Sequence, residues 1–72
     1  MAKPTNVTNR ITELRAAAGM SQAELGDRVG VTRQTMNAIE RGKYSPSLEV
    51  AFRIAGVLDA PLERVFQYPR RR

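Results

Sequence analysis

Planar polar side chains are concentrated in residues 29–46, VGVTRQTMNAIERGKYSP, where an ordinary surface helix would carry mostly Glu, Lys and Ala. The amides of Gln34 and Asn37 offer the donor–acceptor pair that matches the major-groove edge of adenine, and the guanidinium of Arg33 offers the fork that matches guanine. Further cations follow in the same stretch, and cations suit the phosphates of a nucleic-acid backbone. These residue types predict recognition of base edges, with a merely solvated helix face as the simpler alternative.

Bulk composition excludes several other kinds of site. The chain has 72 residues and contains neither Cys nor His, so it lacks the usual thiol nucleophile, imidazole base and soft metal ligands. An enzyme is therefore the least favoured class, and no cofactor or metal is expected. The sequence has no apolar run long enough to span a membrane and no signal-peptide core, which predicts a cytoplasmic protein without a membrane partner.

The charge balance suits a polyanionic partner but does not identify one. Formal net charge is +5, and Arg70, Arg71 and Arg72 supply three of these charges at the end of the chain. We expect this triple-Arg tail to be solvated and to add nonspecific attraction to DNA. The local pattern in residues 29–46, and not the overall charge, therefore carries the argument.

Helical elements must position these side chains, and apolar residues recur at helical spacing along most of the chain. This periodicity predicts five helices, at residues 9–18, 21–29, 32–41 and 48–58 and from Pro61 onward. Ser21 and Glu24 have the spacing of a capping box, and Thr32 and Ser47 are suited to cap the next two helices. We expect one domain at residues 9–67, an N-terminal arm at 1–8 and a basic tail at 68–72.

The ends and faces of the other helices are also predicted from local signals. Thr8 or Asn9 is expected to cap helix 1, and Pro61 suits the first position of helix 5. The apolar side of helix 5 is predicted to be Leu62, Val65 and Phe66. The apolar residues of helix 4 predict its inner face: Leu48, Ala51, Ile54, Ala55 and Leu58.

Helices 2 and 3 are joined by only a few residues around Gly30, which is the spacing of a helix-turn-helix. On helix 3, Met36 and Ile39 define the buried side, and the polar residues of the opening stretch point the other way. Arg33 lies at the edge of that outer face, where its side chain can turn toward a base or toward a phosphate.

The stretch SQAELGDRVGVTRQTMNAIERGKYSPS resembles the Cro/C1-type helix-turn-helix of bacterial and phage repressors. The shared pattern is Ser-Gln at the start of helix 2, a Gly-Val turn, Thr followed by polar residues, Ile-Glu, and Gly-Lys before a Pro. The similarity extends from Ile11 to Phe66, and the ending APLERVFQYP is similar to small stand-alone members such as the cytolysin repressor. The resemblance implies a compact all-α domain of five helices, with short terminal strands in some members. Pro4 and Pro69, which cannot donate a ladder hydrogen bond, argue against such strands here.

The resemblance also implies roles, position by position. The residues that match base-facing positions are Arg33, Gln34 and Asn37. The residues that match contacts to the DNA backbone are Gln22, Thr32, Thr35, Arg41, Lys43 and Tyr44. Glu40 matches a residue that forms a structural ion pair with a cation on helix 1, here Arg15. Gly26 departs from the family, which usually has Ala at this position.

The resemblance further implies a two-fold homodimer in which helix 5 takes part. The interface residues it predicts are Leu62, Val65 and Phe66. A dimer suits a chain whose own core is small. The alternative is that Val65 and Phe66 close the core of the single chain.

Together these patterns predict a transcriptional regulator that binds specific double-stranded DNA sequences. We expect it to act as a homodimer on an inverted-repeat operator, most economically as a repressor that blocks polymerase, and we expect no small-molecule ligand. The alternative is a protein-interaction module, such as an antitoxin or a co-regulator, that uses the same fold.

Overall fold

The computed structural model describes residues 5–69, which form five helices and a two-stranded sheet. In chain order, the elements are β1 (Thr8–Asn9), α1 (Ile11–Ala17), α2 (Gln22–Val29), α3 (Arg33–Glu40), α4 (Leu48–Val57), α5 (Leu62–Val65) and β2 (Phe66–Gln67). Pro4 and the triple-Arg tail lie outside the described residues. Within the described range, no helix is long and apolar enough to cross a bilayer.

The predicted helix starts are confirmed where a side chain caps the helix. Ser21 accepts a hydrogen bond from the backbone N–H of Glu24, and the Glu24 carboxylate accepts one in return from the Ser21 N–H. Thr32 and Ser47 cap α3 and α4 in the same way, each accepting from the backbone N–H three residues on. These local interactions satisfy donors that a helix start leaves free.

The terminal strands are present, although the prolines argued against them. Thr8 pairs with Gln67 and Asn9 with Phe66 in an antiparallel ladder. Pro69 follows the ladder, so its missing N–H costs no strand hydrogen bond. Thr8, predicted as part of the arm, therefore belongs to the domain, and α1 begins at Ile11 instead of residue 9.

Helix α5 is shorter than predicted, because the chain turns early to form β2. Pro61 is the N-cap residue and not the first helical residue, with φ −66° and ψ 153°. Phe66 has extended dihedrals, φ −123° and ψ 141°, and begins the strand that pairs with β1. The prediction that Phe66 lies on helix 5 is therefore wrong.

All five helices contribute to one hydrophobic core. Its buried members are Ile11, Leu25, Val29, Met36, Ile39, Ile54, Ala55 and Val65. Val65 is completely buried within the chain, so its side chain is not available to a partner, and its assignment to the dimer interface is wrong. Burial of these side chains against one another holds α3 on the rest of the domain.

Candidate nucleic-acid interface

The turn between α2 and α3 is closed by glycine backbone. Gly30 has φ 94°, a left-handed conformation that other residues rarely adopt, and the N–H groups of Gly30 and Val31 both donate to the Gly26 carbonyl at 2.8 Å. Gly26 lies under this turn, where a Cβ atom would be only 3.0 Å from the Val31 carbonyl oxygen. The short turn therefore fixes the angle at which α3 leaves α2.

Helix α3 has the two faces that its sequence predicted. Met36 and Ile39 are buried against the core, whereas Arg33 and Gln34 are exposed and Asn37 is half-buried. No described residue forms a side-chain hydrogen bond with Arg33 or Gln34. The three residues predicted to face bases thus lie on the accessible side of one two-turn helix, and their contacts with bases remain predictions.

Most of the residues predicted to contact the DNA backbone flank this face at the two ends of α3. At its start, the Thr32 hydroxyl accepts from the Thr35 N–H and donates to the Thr35 hydroxyl, both at 3.0 Å. After its end, the chain turns at Gly42, and the exposed residues there are Arg41, Lys43 and Tyr44. The structure therefore brings polar groups to both ends of the α3 outer face, as a backbone contact requires.

Arg15 and Glu40 form the expected ion pair between α1 and α3. Arg15 donates from Nε to Glu40 Oε2 at 2.9 Å and from Nη2 to Oε1 at 3.1 Å, and it also donates from Nη1 to the Met20 carbonyl. The Glu40 side chain is only 4% exposed, and Thr12 donates to its Oε1 at 2.8 Å. One guanidinium thus ties the end of α3 to α1 and to the start of α2.

The surroundings of Glu40 keep its carboxylate ionised. Burial by itself would raise the pKa of Glu40, but hydrogen bonds from Arg15, Thr12 and Gln22 together outweigh it, and the pKa lies below its ordinary value. The hydrogen bond to Glu40 likewise raises the pKa of Arg15, against a smaller opposing effect of burial. Both partners therefore stay charged at neutral pH.

Gln22, predicted as a backbone contact, is held by α3 in the absence of DNA. Its Nε2 atom donates to Glu40 Oε1 and to Asn37 Oδ1, both at 3.2 Å. It is half-buried at the first position of α2, next to the polar face of α3. The sequence did not predict that Gln22 and Asn37 touch, because the contact depends on the angle between the two helices.

Asn9 is a positioning residue with two contacts, and the sequence analysis did not predict the second of them. The N-cap residue of α1 is Arg10, and no side chain caps this helix, so the prediction that Thr8 or Asn9 caps it is wrong. Asn9 lies one residue earlier, and its Oδ1 accepts from the Ile11 N–H at 3.0 Å. Its Nδ2 donates to the Ile39 carbonyl at 3.0 Å and lies 3.4 Å from the Glu40 carbonyl. Asn9 therefore joins the start of α1 to carbonyls in the last turn of α3.

A second candidate surface is apolar and lies on α4, α5, β2 and the residue that follows β2. We call it the apolar surface and define it by Leu48, Phe52, Leu62, Phe66 and Tyr68. Three of these side chains are largely exposed: Leu48 by 67%, Phe52 by 56% and Tyr68 by 63%. The prediction that Leu48 faces inward is wrong, since helix 4 begins beyond the edge of the core. A cleft of about 310 Å³ runs between Leu48, Leu62 and Phe66.

Comparisons with known proteins agree with this arrangement. A helix-turn-helix family model matches residues 11–65. The HTH-type transcriptional regulator YgzD of Bacillus subtilis is 52% identical over 58 residues, which cover 81% of this chain and 88% of that protein. Two solved structures also match 75% of the chain. The restriction-modification controller protein C.AhdI of Aeromonas hydrophila has a TM-score of 0.70 at 33% identity, with 82% of its chain covered. The biofilm regulator SinR of Bacillus subtilis, solved in complex with DNA, has a TM-score of 0.69 at 31% identity, with 87% covered.

The fold and the polar face of α3 define a helix-turn-helix protein. The chain belongs to the helix-turn-helix family, and within it to the Cro/C1-type regulators, as the sequence pattern predicted. This family is a class of DNA-binding transcriptional regulators and not of enzymes. In the described part of the chain, no cluster of carboxylates is arranged to hold a metal ion.

Proposed function

We propose that the protein binds specific double-stranded DNA sequences by placing α3 in the major groove. The observation that carries this proposal is the outer face of α3, where Arg33, Gln34 and Asn37 are accessible on one side of a short helix. Side chains of these types read base edges, and a helix of this width fits the major groove. The hydroxyl groups at the start of α3 and the cations after its end then contact phosphates on either side.

The proposed active form is a homodimer that binds an inverted repeat. The apolar surface supports it, because exposed large apolar side chains grouped on adjacent elements are typical of protein interfaces. Leu62 and Phe66 remain in the proposed interface, while Leu48, Phe52 and Tyr68 are added and Val65 is removed. In a two-fold dimer, the half-site centres lie about 10 base pairs apart.

Repression is the mechanism that requires least beyond DNA binding. A dimer seated on a promoter excludes polymerase from the same DNA, and this needs no contact other than those at the operator. The proposed site of action is the cytoplasm. An activator would instead need a surface that contacts polymerase.

Selection of bound sequences from random duplex DNA tests the proposal directly. The protein is equilibrated with the library at two salt concentrations, and the enriched duplexes are sequenced. We expect an inverted repeat whose enrichment persists at the higher salt, because base contacts do not release counterions. Binding that falls with salt and enriches no sequence would reject specific recognition, and failure to bind duplex DNA at all would reject the proposed function.

A further inference from the structure

The hydrogen bonds beside α3 fix which end of the Gln22 amide faces Glu40. A carboxylate has only acceptor atoms, and Glu40 Oε1 already accepts from Thr12 and Arg15. The Gln22 atom 3.2 Å from this oxygen must therefore be a donor, which is Nε2 and not Oε1. The chemistry of Glu40 thus decides an orientation that distances by themselves would leave ambiguous, since the two ends of an amide have similar shape.

The orientation of Gln22 then fixes that of Asn37. The same Nε2 atom lies 3.2 Å from the amide group of Asn37, and because Nε2 is only a donor, the facing atom of Asn37 must be Oδ1. The Nδ2 group of Asn37 is consequently directed away from Gln22. Among residues 5–69, no group accepts a hydrogen bond from it and it is not buried, so it is available to a partner.

We propose that Glu40 and Gln22 are positioning residues that make Asn37 present a hydrogen-bond donor to the DNA, so that Asn37 prefers guanine to adenine. The bidentate contact with adenine needs both atoms of the amide on the base edge, and here Oδ1 is turned toward Gln22. A lone donor group meets two acceptors, N7 and O6, on the edge of guanine, but on adenine it meets one acceptor, N7, beside the N6 donor. This inference rests on the proposed function, and it reverses the adenine match that the residue type suggested.

The amide orientation is testable in the free protein, without DNA. Hydrogen exchange of the side-chain NH2 groups, followed by NMR, should be at least several-fold slower for Gln22 than for Asn37, because only the Gln22 group donates within the protein. In Glu40→Met, whose folding is checked by circular dichroism, the acceptor of the Gln22 NH2 group is gone, so the protection of Gln22 should fall. If that variant does not fold, Gln22→Met carries the test, since it should shift the Asn37 NH2 resonances. Protection of the Asn37 NH2 group in the unaltered protein would overturn the inference.

The effect on base preference is measured with the operator obtained by selection. The Asn37→Ala variant is measured first. The operator position at which this variant no longer prefers one base identifies the base pair that depends on Asn37. At this pair, the unaltered protein should prefer guanine over adenine by about tenfold, and Gln22→Met, which retains size but frees the Asn37 amide, should reduce the ratio to about threefold or less. Thr12→Val is the matched control, because it removes another hydrogen bond to the same Glu40 oxygen and should leave the ratio unchanged.

The outcomes separate this inference from the proposed function. A protein that selects an operator but prefers adenine at the Asn37-dependent pair overturns the inference and leaves the proposed function intact. The same holds if Asn37→Ala changes no base preference, or if Gln22→Met lowers affinity for all bases equally. If the unaltered protein enriches no sequence, the proposed function fails, and the inference fails with it.

Discussion

The polar residues of α3 differ in how far their side chains are ordered before DNA arrives. Asn37 is held by Gln22, whereas no described residue hydrogen-bonds to the side chains of Arg33 and Gln34. A side chain that is ordered only on binding loses conformational entropy at that moment, which costs affinity. We therefore expect Asn37 to contribute a contact of fixed direction, while Arg33 and Gln34 adapt to the bases they meet.

Gln34 and Lys43 should play different parts, one reading bases and the other contacting the backbone. Gln34→Ala should cost about 1–3 kcal/mol on the preferred operator and much less on random duplex, because a base contact forms only at the right sequence. Lys43→Ala should weaken binding to both DNAs alike and lower the salt slope by about one unit, because one fewer counterion is released. Affinities are measured for both variants on both duplexes at two salt concentrations. Identical profiles for the two variants would contradict this division of roles.

The ion pair of Glu40 should make stability fall on the acid side. Because the folded pKa of Glu40 lies below its unfolded value, the stabilisation is complete above the unfolded pKa and is lost as pH falls through the folded pKa. Glu40→Gln should destabilise the protein by about 3 kcal/mol at neutral pH, since it leaves the guanidinium of Arg15 without its charged partner. Urea unfolding from pH 7 to pH 3 measures both effects.

A control distinguishes this buried pair from an exposed one. Glu49 pairs with Arg53 on the surface of α4 at 3.0 Å, with side-chain exposures of 77% and 53%. Glu49→Gln should cost less than about 1 kcal/mol, as exposed pairs usually do. Equal losses of unfolding free energy for the two substitutions, or an unchanged acid dependence in Glu40→Gln, would show that the pair between Arg15 and Glu40 stabilises the fold no more than an exposed pair does.

Asn9 should stabilise the domain through both ends of its amide. Asn9→Ala removes the acceptor of the Ile11 N–H and the donor to the α3 carbonyls, and the expected loss is about 1–3 kcal/mol. Asn9→Asp retains the acceptor of the Ile11 N–H but places a carboxylate against the Ile39 carbonyl, so it should not restore stability. Thermal unfolding of both variants checks this. Full recovery in Asn9→Asp would mean that only the hydrogen bond from the Ile11 N–H matters.

At the scale of elements, the sequence predicted what adjacent residues determine. Ser21, Thr32 and Ser47 form their caps with the backbone N–H three residues on, so the starts of α2, α3 and α4 followed from short-range patterns. The strands did not follow from short-range patterns, because Thr8 and Gln67 meet only once the whole chain has folded. The same long-range pairing shortened α5 and moved Phe66 into β2.

The candidate site likewise has features that the sequence predicted and features that it did not. The outer face of α3 and the pair between Arg15 and Glu40 were predicted from helical geometry and family resemblance, and the structure places these residues accordingly. The contact between Gln22 and Asn37 depends on the angle between α2 and α3, which no sequence pattern specifies. The exposure of Leu48 depends likewise on where α4 leaves the core.

Two helical glycines provide a matched test of the turn between α2 and α3. A Cβ atom at Gly56 would meet nothing within 4 Å, so Gly56→Ala should stabilise the protein by about 0.5–1 kcal/mol through helix propensity. At Gly26, a Cβ atom would lie 3.0 Å from the Val31 carbonyl oxygen and 3.3 Å from that of Thr32, so the turn must shift slightly to admit Ala. Gly26→Ala should therefore gain less than Gly56→Ala in urea unfolding. An equal or larger gain would show that the turn yields freely.

On the scale of the whole molecule, the polar face and the apolar surface use different residues, which allows DNA contact and dimer formation to be altered separately. The face of α3 carries Arg33, Gln34 and Asn37, and the apolar surface is built on α4, α5 and β2. A substitution confined to the apolar surface should therefore reduce operator affinity only through loss of the dimer. A variant at Leu48, Phe52 or Tyr68 should still fold, because these side chains are largely exposed, whereas Leu62 and Phe66 also pack against the core.

Phe52 offers the sharpest test of the proposed dimer. Its side chain is 56% exposed on α4, one turn after Leu48, and every substitution in a two-fold interface is present twice. If the dimer buries that exposed part, Phe52→Ser should cost about 1 kcal/mol per copy, and so should raise the dimer dissociation constant by about 30-fold. Phe52→Leu, which retains an apolar side chain and the same net charge, is the matched control and should dimerise nearly as well. Sedimentation equilibrium measures both variants without DNA, and thermal unfolding verifies that both fold. A monomeric unaltered protein at tens of micromolar, or equal dissociation constants for the two variants, would place the dimer interface elsewhere or exclude it.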